Sequence, residues 1–207
     1  MGGKVRWVVA AVGLSLGLSC ARVSTACELP PPRDPAKATT LYRVVTGPSW
    51  VRFDAKAFLH DFAGKTVQVE GMIRVGDANR LSDAEACVQI DAASLDTGNS
   101  TRDGIMRNDH LETARFPTID FLLKAAEGVT HQDGSWHFTV SGTLSLHGVS
   151  REIQFPVQAR QDGDAVLLQG KLPVKMTDYG IRIPRFLFVT VEDQVMVRFD
   201  VTAKRAP

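Results

Sequence analysis

Apolar and polar residues alternate with a period of two along most of the chain from Tyr42 onward. The alternating apolar positions form about eight groups, at residues 51–55, 67–75, 86–90, 119–123, 136–146, 153–159, 166–174 and 195–203. Successive side chains of a β-strand point to opposite faces, so each group is typical of a strand with one apolar face. The pattern therefore predicts an all-β fold of about eight strands.

Tight turns separate several of these strands. The turns that contain glycine are Asp133-Gly134, His147-Gly148 and Asp162-Gly163. Such dipeptides between alternating segments are typical of hairpins, which make neighbouring strands antiparallel. An antiparallel sheet of this size forms a sandwich or a closed barrel. The lack of an obvious edge strand favours the barrel, and so do Gly71, Gly142 and Gly170, which fall on apolar faces where a curved barrel needs glycine.

Helical signal is restricted to two segments. Residues 54–62 (DAKAFLHDF) predict a short helix or a wide bend. Residues 100–113 predict one or two helical turns at the mouth of the barrel.

Two blocks carry the most specific motifs of the chain. Residues 94–121 read SLDTGNSTRDGIMRNDHLETARFPTIDF, and residues 144–157 read LSLHGVSREIQFPV. With Asp178-Tyr179-Gly180, they resemble the YceI-like family, whose pattern runs S-[IL]-D-T-G-N…R-D…F-P-x-I-x-F and then L-x-[IL]-H-G-V-[ST]-R. The resemblance extends from about Tyr42 to Lys204. It implies a lipocalin-like antiparallel β-barrel of the periplasm that binds an isoprenoid-type lipid in its lumen.

The resemblance also implies which residues contact the lipid. The predicted lumen residues are Val51, Phe53, Val69, Phe121, Leu123, Phe138, Val140, Phe155, Val157, Leu168, Val197 and Phe199. The predicted head-group residues of the mouth loop are Asp96, Asn99, Arg102 and Asp103. The expected guest is an isoprenoid quinone, a polyprenyl alcohol or an amphiphile of similar shape, carried or sequestered without catalysis, and no other cofactor is expected.

Each of these sites has a structural alternative. Phenylalanines on five strands also fit a solid core, which would make the protein a filled-barrel envelope stress or interaction protein without a lipid. The polar residues of the mouth loop also fit a turn in which their side chains bond backbone amides, and Arg102 and Asp103 pair. For His147, a hydrogen bond to its own turn is favoured over a role as a base or metal ligand.

Motifs of catalysis and metal binding are missing. The chain has no G-x-S-x-G, G-x-G-x-x-G or phosphate-binding G-x-x-x-x-G-K-[ST] sequence. Its histidines show no metal-ligand spacing. A triad of Ser150, His147 and Asp103 can be drawn on paper, but nothing in their spacing requires it. We therefore expect neither an enzyme nor a metal site.

The N-terminus has the layout of a secretory signal peptide. Lys4 and Arg6 precede an apolar run at residues 7–18, and Ser24-Thr25-Ala26 supplies small residues for cleavage. The apolar run is too short for a stable membrane span. We therefore divide the chain into a signal peptide (residues 1–26), a proline-rich linker (27–40) and a YceI-like barrel domain (41–207), and expect a periplasmic or secreted protein.

The cysteines leave two questions open. Cys20 and Cys27 each follow a small residue, so N-terminal lipidation at either is an alternative, and membrane contact is expected only in that case. After cleavage before Cys27, only Cys27 and Cys87 remain, and the sequence does not decide whether they pair.

Composition sets the remaining limits. The 207 residues are 44% hydrophobic, enough for one domain with a sizeable core. The formal charge of +1 becomes −2 without residues 1–26, which leaves 21 basic and 23 acidic residues. No basic cluster follows one face, so nucleic acid is not an expected partner. The sequence leaves open whether an edge of the barrel forms a homodimer.

Overall fold

The structure, a computed structural model, describes residues 27–32, 38–186 and 189–206. The predicted signal peptide and residues 33–37 of the predicted linker lie outside the described residues. Within the described ranges, no helix combines the length and apolar character needed to span a membrane.

The described residues are mostly strands. The strands are β1 (Thr40–Val44), β2 (Trp50–Ala55), β3 (Phe62–Thr66), β4 (Val69–Val75), β5 (Glu85–Asp91), β6 (Thr118–Gln132), β7 (Ser135–Leu146), β8 (Val149–Asp162), β9 (Ala165–Lys175), β10 (Arg185–Phe186), β11 (Val189–Thr190) and β12 (Gln194–Arg205). The helical elements are α1 (Ser100–Ile105), a π-helical turn (Met106–His110) and 3-10 turns at Ala92–Ser94 and Met176–Tyr179.

Strand β12 closes the barrel. On one side it pairs with β9 along its length, and on the other its C-terminal part pairs with β1 and its N-terminal part with β2. Strand β4 pairs with β1, and β3 pairs with β2. Because β1 with β2 and β3 with β4 each form one bent strand, the wall has eight antiparallel strand positions. The predicted barrel of about eight strands is confirmed, and a sandwich is excluded.

The bend between β1 and β2 is fixed by a buried serine. Ser49 has no exposed surface, and its Oγ accepts a hydrogen bond from the Thr202 backbone N at 3.1 Å. The same hydroxyl lies 3.3 Å from the Thr202 carbonyl oxygen, which also accepts from the Val45 backbone N at 2.8 Å. The side chain thus replaces backbone pairing where the strand bends.

Three phenylalanine rings lie over glycines of neighbouring strands. A Cβ on Gly64 would come within 2.3 Å of the Phe53 ring, and a Cβ on Gly170 within 2.5 Å of the Phe199 ring. The Phe121 ring lies over Gly142 in the same way, at 2.6 Å from the position of a Cβ. Glycine therefore leaves the space that each ring occupies, a known device in curved sheets.

The structure decides between two alternatives for one predicted local feature, in favour of the wide bend, and shifts another by one residue. Residues 54–62 form no helix: β2 and β3 are joined there by a wide bend, since Ala57 bridges to Val191 instead of continuing a helical turn. The β8–β9 hairpin turns at Gly163 and Asp164, one residue later than predicted, because Asp162 pairs with Ala165. The predicted helical turns in residues 100–113 are present as α1 and the π-helical turn.

The segment before the barrel is fastened to its outer wall. Cys27 and Cys87 of β5 form a disulfide, with their Cα atoms 5.8 Å apart. Arg74 Nη1 on β4 donates to the Pro30 carbonyl oxygen at 2.8 Å and pairs with Glu85 of β5. Residues 27–32 therefore lie along β4 and β5. The pairing of Cys27 with Cys87 answers a question that the sequence left open.

Candidate binding cavity

The interior of the barrel is a cavity of about 830 Å³. This volume lies toward the upper end of the range for small-molecule sites, roughly 300–1,000 Å³. Its wall is almost entirely apolar and reaches from Ile105 and Ile181 at one end to Leu81 and Trp136 at the other. Because inward positions alternate along every strand, all eight strand positions contribute to it.

Aromatic rings form a belt within the wall. The Phe155 ring of β8 lies 5.4 Å from that of Phe121 on β6 and 5.9 Å from that of Phe199 on β12, centroid to centroid. Phe155 itself is 7% exposed, so the two neighbouring rings cover it closely. Phe138 of β7 also lines the cavity but is only partly buried.

Eleven of the twelve predicted lumen residues line the cavity. They are Val51, Phe53, Phe121, Leu123, Phe138, Val140, Phe155, Val157, Leu168, Val197 and Phe199. Val69 does not: it is fully buried in a second apolar cluster with Val44, Val201 and Ala203, where β1, β4 and β12 meet. Alternation places a residue on the inward face, but it does not distinguish a cavity wall from a packed corner. Contact of the eleven residues with a ligand stays a prediction.

One end of the barrel, called here the helical end, carries most of the polar lining. It comprises the β2–β3 hairpin, residues 92–117, the His147-Gly148 turn and residues 176–186 and 189–193. Asn99, Thr101, Arg102, His110 and Arg185 line the cavity there. Among the described lining residues, Arg102 and Arg185 carry formal charge and no carboxylate is present.

Two of the four predicted head-group residues turn away from the cavity. Asp103 is buried, and its Oδ1 accepts hydrogen bonds from the Thr97 backbone N at 3.0 Å and from Thr97 Oγ1 at 2.6 Å. Asp96 Oδ1 accepts from the Gly98 backbone N at 2.6 Å. Both carboxylates therefore stabilise the loop, as the structural alternative expected, while Asn99 and Arg102 line the cavity.

Arg102 and Asp103 interact through Thr97. Arg102 Nε donates to Thr97 Oγ1 at 2.8 Å, and its Nη2 donates to the Thr97 carbonyl oxygen at 3.0 Å. The expected Arg102–Asp103 pair is thus replaced by a shared partner. Burial raises the pKa of Asp103, but the Thr97 hydrogen bonds and the Arg107 charge outweigh it, and the pKa is lower than usual.

His147 connects two loops of the helical end. Its Nδ1 donates to the Tyr179 carbonyl oxygen at 3.1 Å, and its Nε2 lies 3.3 Å from Glu112 Oε1. Its ring centroid lies 4.7 Å from that of Phe116. The expected bond to its own turn is wrong, because the left-handed backbone of the turn, with φ 53° at His147, directs the ring toward these loops.

The residues of the conceivable catalytic triad stay apart. Ser150 Oγ lies 2.8 Å from Ser145 Oγ, His147 bonds Tyr179 and Glu112, and Asp103 bonds Thr97. No group of three or more metal-ligating side chains occurs among the described residues.

Comparisons with known proteins agree with this architecture. A curated UPF0312 protein of Shewanella denitrificans is 27% identical over 114 residues, which cover 52% of this chain and 58% of the relative's length. The chain thus matches less than two thirds of that relative.

Solved structures show the same fold. Burkholderia cenocepacia BcnA superposes with a TM-score of 0.69 at 21% identity, covering 78% of this chain and 99% of BcnA. A polyisoprenoid binding domain from Saccharophagus degradans, implicated in plant cell wall breakdown, gives 0.63 at 20% identity, covering 80% and 98%. The Campylobacter jejuni YceI protein gives 0.59 at 19% identity, covering 70% and 85%.

The model of the YceI-like domain family matches residues 42–203, which is most of the chain and includes every strand of the barrel except part of β1 and of β12. The protein therefore belongs to the YceI-like family.

Proposed function

We propose that this protein binds one isoprenoid-type lipid, or an amphiphile of similar shape, inside the barrel and carries or sequesters it without catalysis. The observation that carries the proposal is the continuous apolar cavity of about 830 Å³ between the two ends of the barrel. Such a space is at odds with a filled barrel. The ligand named for the Saccharophagus domain has the same chemistry.

The length of the cavity suits a long chain. Strand β7 lines it from Trp136 to Leu146, and at ~3.4 Å per residue and a tilt of ~40° this stretch spans about 25 Å of the barrel axis. Burial of each CH₂ group contributes ~0.8 kcal/mol, so a tail of about twenty carbons yields over ten kcal/mol before costs. Ordering of the tail and lost translational freedom remove much of this, which leaves micromolar or tighter binding.

The polar head is proposed to lie at the helical end. Asn99, Arg102 and His110 line the cavity there, whereas the lumen between the ends is apolar. A neutral or anionic head meets donors at this end and no lining carboxylate among the described residues.

Two measurements test lipid binding. Solvent extraction of the purified protein followed by mass spectrometry identifies any lipid that copurifies. Titration of delipidated protein with a prenyl alcohol is read through Trp136, which lines the cavity, in a Trp50→Phe variant that removes the barrel's other described tryptophan. Apo protein whose Trp136 emission ignores added prenyl alcohol would overturn the proposal.

We also propose that the protein works in an oxidising compartment after export. The Cys27–Cys87 disulfide supports this, because disulfides persist outside the reducing cytosol. A sulfur in a disulfide cannot also carry a thioether-linked lipid, so this bond and lipidation at Cys27 exclude each other. The N-terminal mass of the exported protein, with and without reductant, distinguishes the two.

A further inference from the structure

The tip of the β2–β3 hairpin projects two large apolar side chains into solvent. Phe58 is 83% exposed and Leu59 is 62% exposed, the highest values among the large hydrophobic residues that the structure describes as exposed. Ile105 of α1, at the same end of the barrel, is 44% exposed. Exposed apolar side chains that cluster at one end of a molecule mark a contact surface.

The tip is held in place by hydrogen bonds behind it. Asp61 Oδ1 accepts from the Ala57 backbone N at 3.2 Å, which closes the turn. The Glu192 backbone N donates to the Lys56 carbonyl oxygen at 2.8 Å, and Ala57 bridges to Val191. These bonds leave Phe58 and Leu59 presented outward instead of folded onto the barrel.

The tip is continuous with the wall of the cavity. Ala55 at the end of β2 and Phe62 at the start of β3 both line the cavity, and they bracket the exposed residues. Ile105 lines the cavity as well as being partly exposed. A surface that receives the tip therefore adjoins the helical end of the lumen.

The exposed area is too small for a stable protein partner. Phe58 and Leu59 expose on the order of 300 Å² of mostly apolar surface together, whereas each partner in a specific protein complex buries ~800 Å², of which roughly 450 Å² is apolar. A bilayer needs no matching surface, because its interior accepts any apolar side chain that reaches it.

We propose that the Phe58–Leu59 tip inserts into the surface of a phospholipid bilayer, so that a lipid passes between bilayer and barrel at the helical end. This inference rests on the proposed lipid-binding function and needs no acyl group on the protein. The contact is apolar: Asp61 is turned back to Ala57, and the tip adds only Lys56 and His60 as basic groups. Screening by salt weakens charge contacts and not apolar ones, so binding should persist at high salt.

The test uses the double variant Phe58→Ser with Leu59→Ser. Vesicles of phosphatidylethanolamine and phosphatidylglycerol are floated with each protein at low and high salt. We expect wild-type protein to float with the vesicles at both salt concentrations, and the double variant to partition at least about tenfold less. The matched control is Leu122→Ser, which removes a 44% exposed leucine from the outer wall of β6 and should float like wild type.

A second variant reports insertion directly. Phe58→Trp, in a background with Trp50→Phe and Trp136→Phe, places the one tryptophan of the described residues at the tip, and its emission should shift to shorter wavelength when phosphatidylcholine vesicles or the mixed vesicles are added. Each of three results overturns the inference. These are wild-type protein that does not float with vesicles, wild-type protein that floats only at low salt, and a Phe58→Trp variant whose emission does not shift. A homodimer that the double variant dissociates in the absence of vesicles also overturns it.

Lipid uptake without a bilayer separates this inference from the proposed function. Prenyl alcohol delivered from a cyclodextrin complex should enter wild-type and double-variant proteins equally, whereas uptake from vesicles should slow in the double variant. If the protein takes up prenyl alcohol from cyclodextrin but does not associate with vesicles, the bilayer-docking inference is overturned and the lipid-binding function is not. Vesicle association without uptake from either source overturns the lipid-binding function.

Discussion

Thr97 is the side chain on which the polar loop of the helical end depends. It donates from its backbone N and its hydroxyl to Asp103, and it accepts from Arg102. A buried carboxylate without these donors would face a large desolvation penalty. The conspicuous acidic residue of the motif therefore supports the loop from within, and the neighbouring arginine and asparagine are left to face the lumen.

Replacement of Asp103 by Asn should destabilise the fold by about 1–3 kcal/mol at neutral pH. The change removes a buried, charged carboxylate that accepts two hydrogen bonds from Thr97. It should also flatten the acid dependence of stability. The lowered pKa means that ionised Asp103 stabilises the fold fully above its ordinary value of 3.8 and loses this effect as pH falls through the lowered pKa.

Urea unfolding of wild type and the Asp103→Asn variant at neutral pH and near pH 3 measures both effects. Exposed Glu127→Gln serves as the control and should change neither. Equal loss of stability by wild type and Asp103→Asn on acidification would contradict the assignment.

At the scale of secondary-structure elements, neighbouring strands are joined by phenylalanine rings packed over glycines as well as by backbone hydrogen bonds. The Phe199 ring of β12 occupies the space over Gly170 of β9, its direct partner in register. Phe53 and Gly64 repeat the arrangement between β2 and β3. A glycine on an apolar face therefore indicates a ring on the next strand as well as curvature.

Gly170→Ala should lower the free energy of unfolding by about 1–3 kcal/mol, because the new methyl group would lie 2.5 Å from the Phe199 ring and 2.9 Å from the Pro156 carbonyl oxygen. Combination with Phe199→Leu should recover part of that loss, since the two changes share one contact. Thermal unfolding of the double-mutant cycle measures the coupling. Gly104→Ala, where no atom outside its own helix lies within 4 Å of the new Cβ, should be neutral or stabilising. Additive effects of the two changes in the cycle would refute the contact between Gly170 and Phe199.

At the scale of the whole molecule, the barrel wall encloses a cavity, and within that wall the Phe155 ring is packed between the Phe121 and Phe199 rings. Phe138→Trp should therefore change stability by less than about 1 kcal/mol and weaken prenyl-lipid binding by about tenfold or more, because the added ring enters the cavity. Phe155→Trp is the matched comparison: between Phe121 and Phe199 the same change should cost about 1–3 kcal/mol. Calorimetric titration and urea unfolding measure both. A strongly destabilised Phe138→Trp protein with unchanged affinity would instead indicate a filled interior.

The disulfide acts at the same scale, since it joins residues 60 positions apart in sequence. Replacement of Cys27 and Cys87 by Ser should lower stability by about 2–4 kcal/mol, because the unfolded chain regains freedom. Thermal unfolding with and without reductant checks this. Reductant should lower the midpoint of wild type to that of the variant and leave the variant unchanged; a midpoint insensitive to reductant in wild type would refute the bond.

The sequence predicts the wall of the barrel well, because a period of two assigns each side chain to one face. It predicts corners poorly: Val69 has the right phase but lies where three strands pack against each other. Strands β1 and β3 escape the pattern since they are short, and β3 contains Gly64 and Lys65. Asp103 bonds Thr97 within an irregular loop that periodicity does not describe. His147 bonds residues of two loops that are distant in sequence. No local pattern contains that information.

The pairs of a glycine and a phenylalanine ring also determine the width of the cavity. A phenylalanine ring that packs over a glycine of the neighbouring strand lies within the barrel wall, so it narrows the cavity less than its size suggests. A change at one member of a pair, such as a larger residue in place of Gly64, would push Phe53 toward the axis and constrict the channel beside the β2–β3 hairpin. Relatives whose cavities are wider or narrower are therefore expected to differ at both members of a pair together.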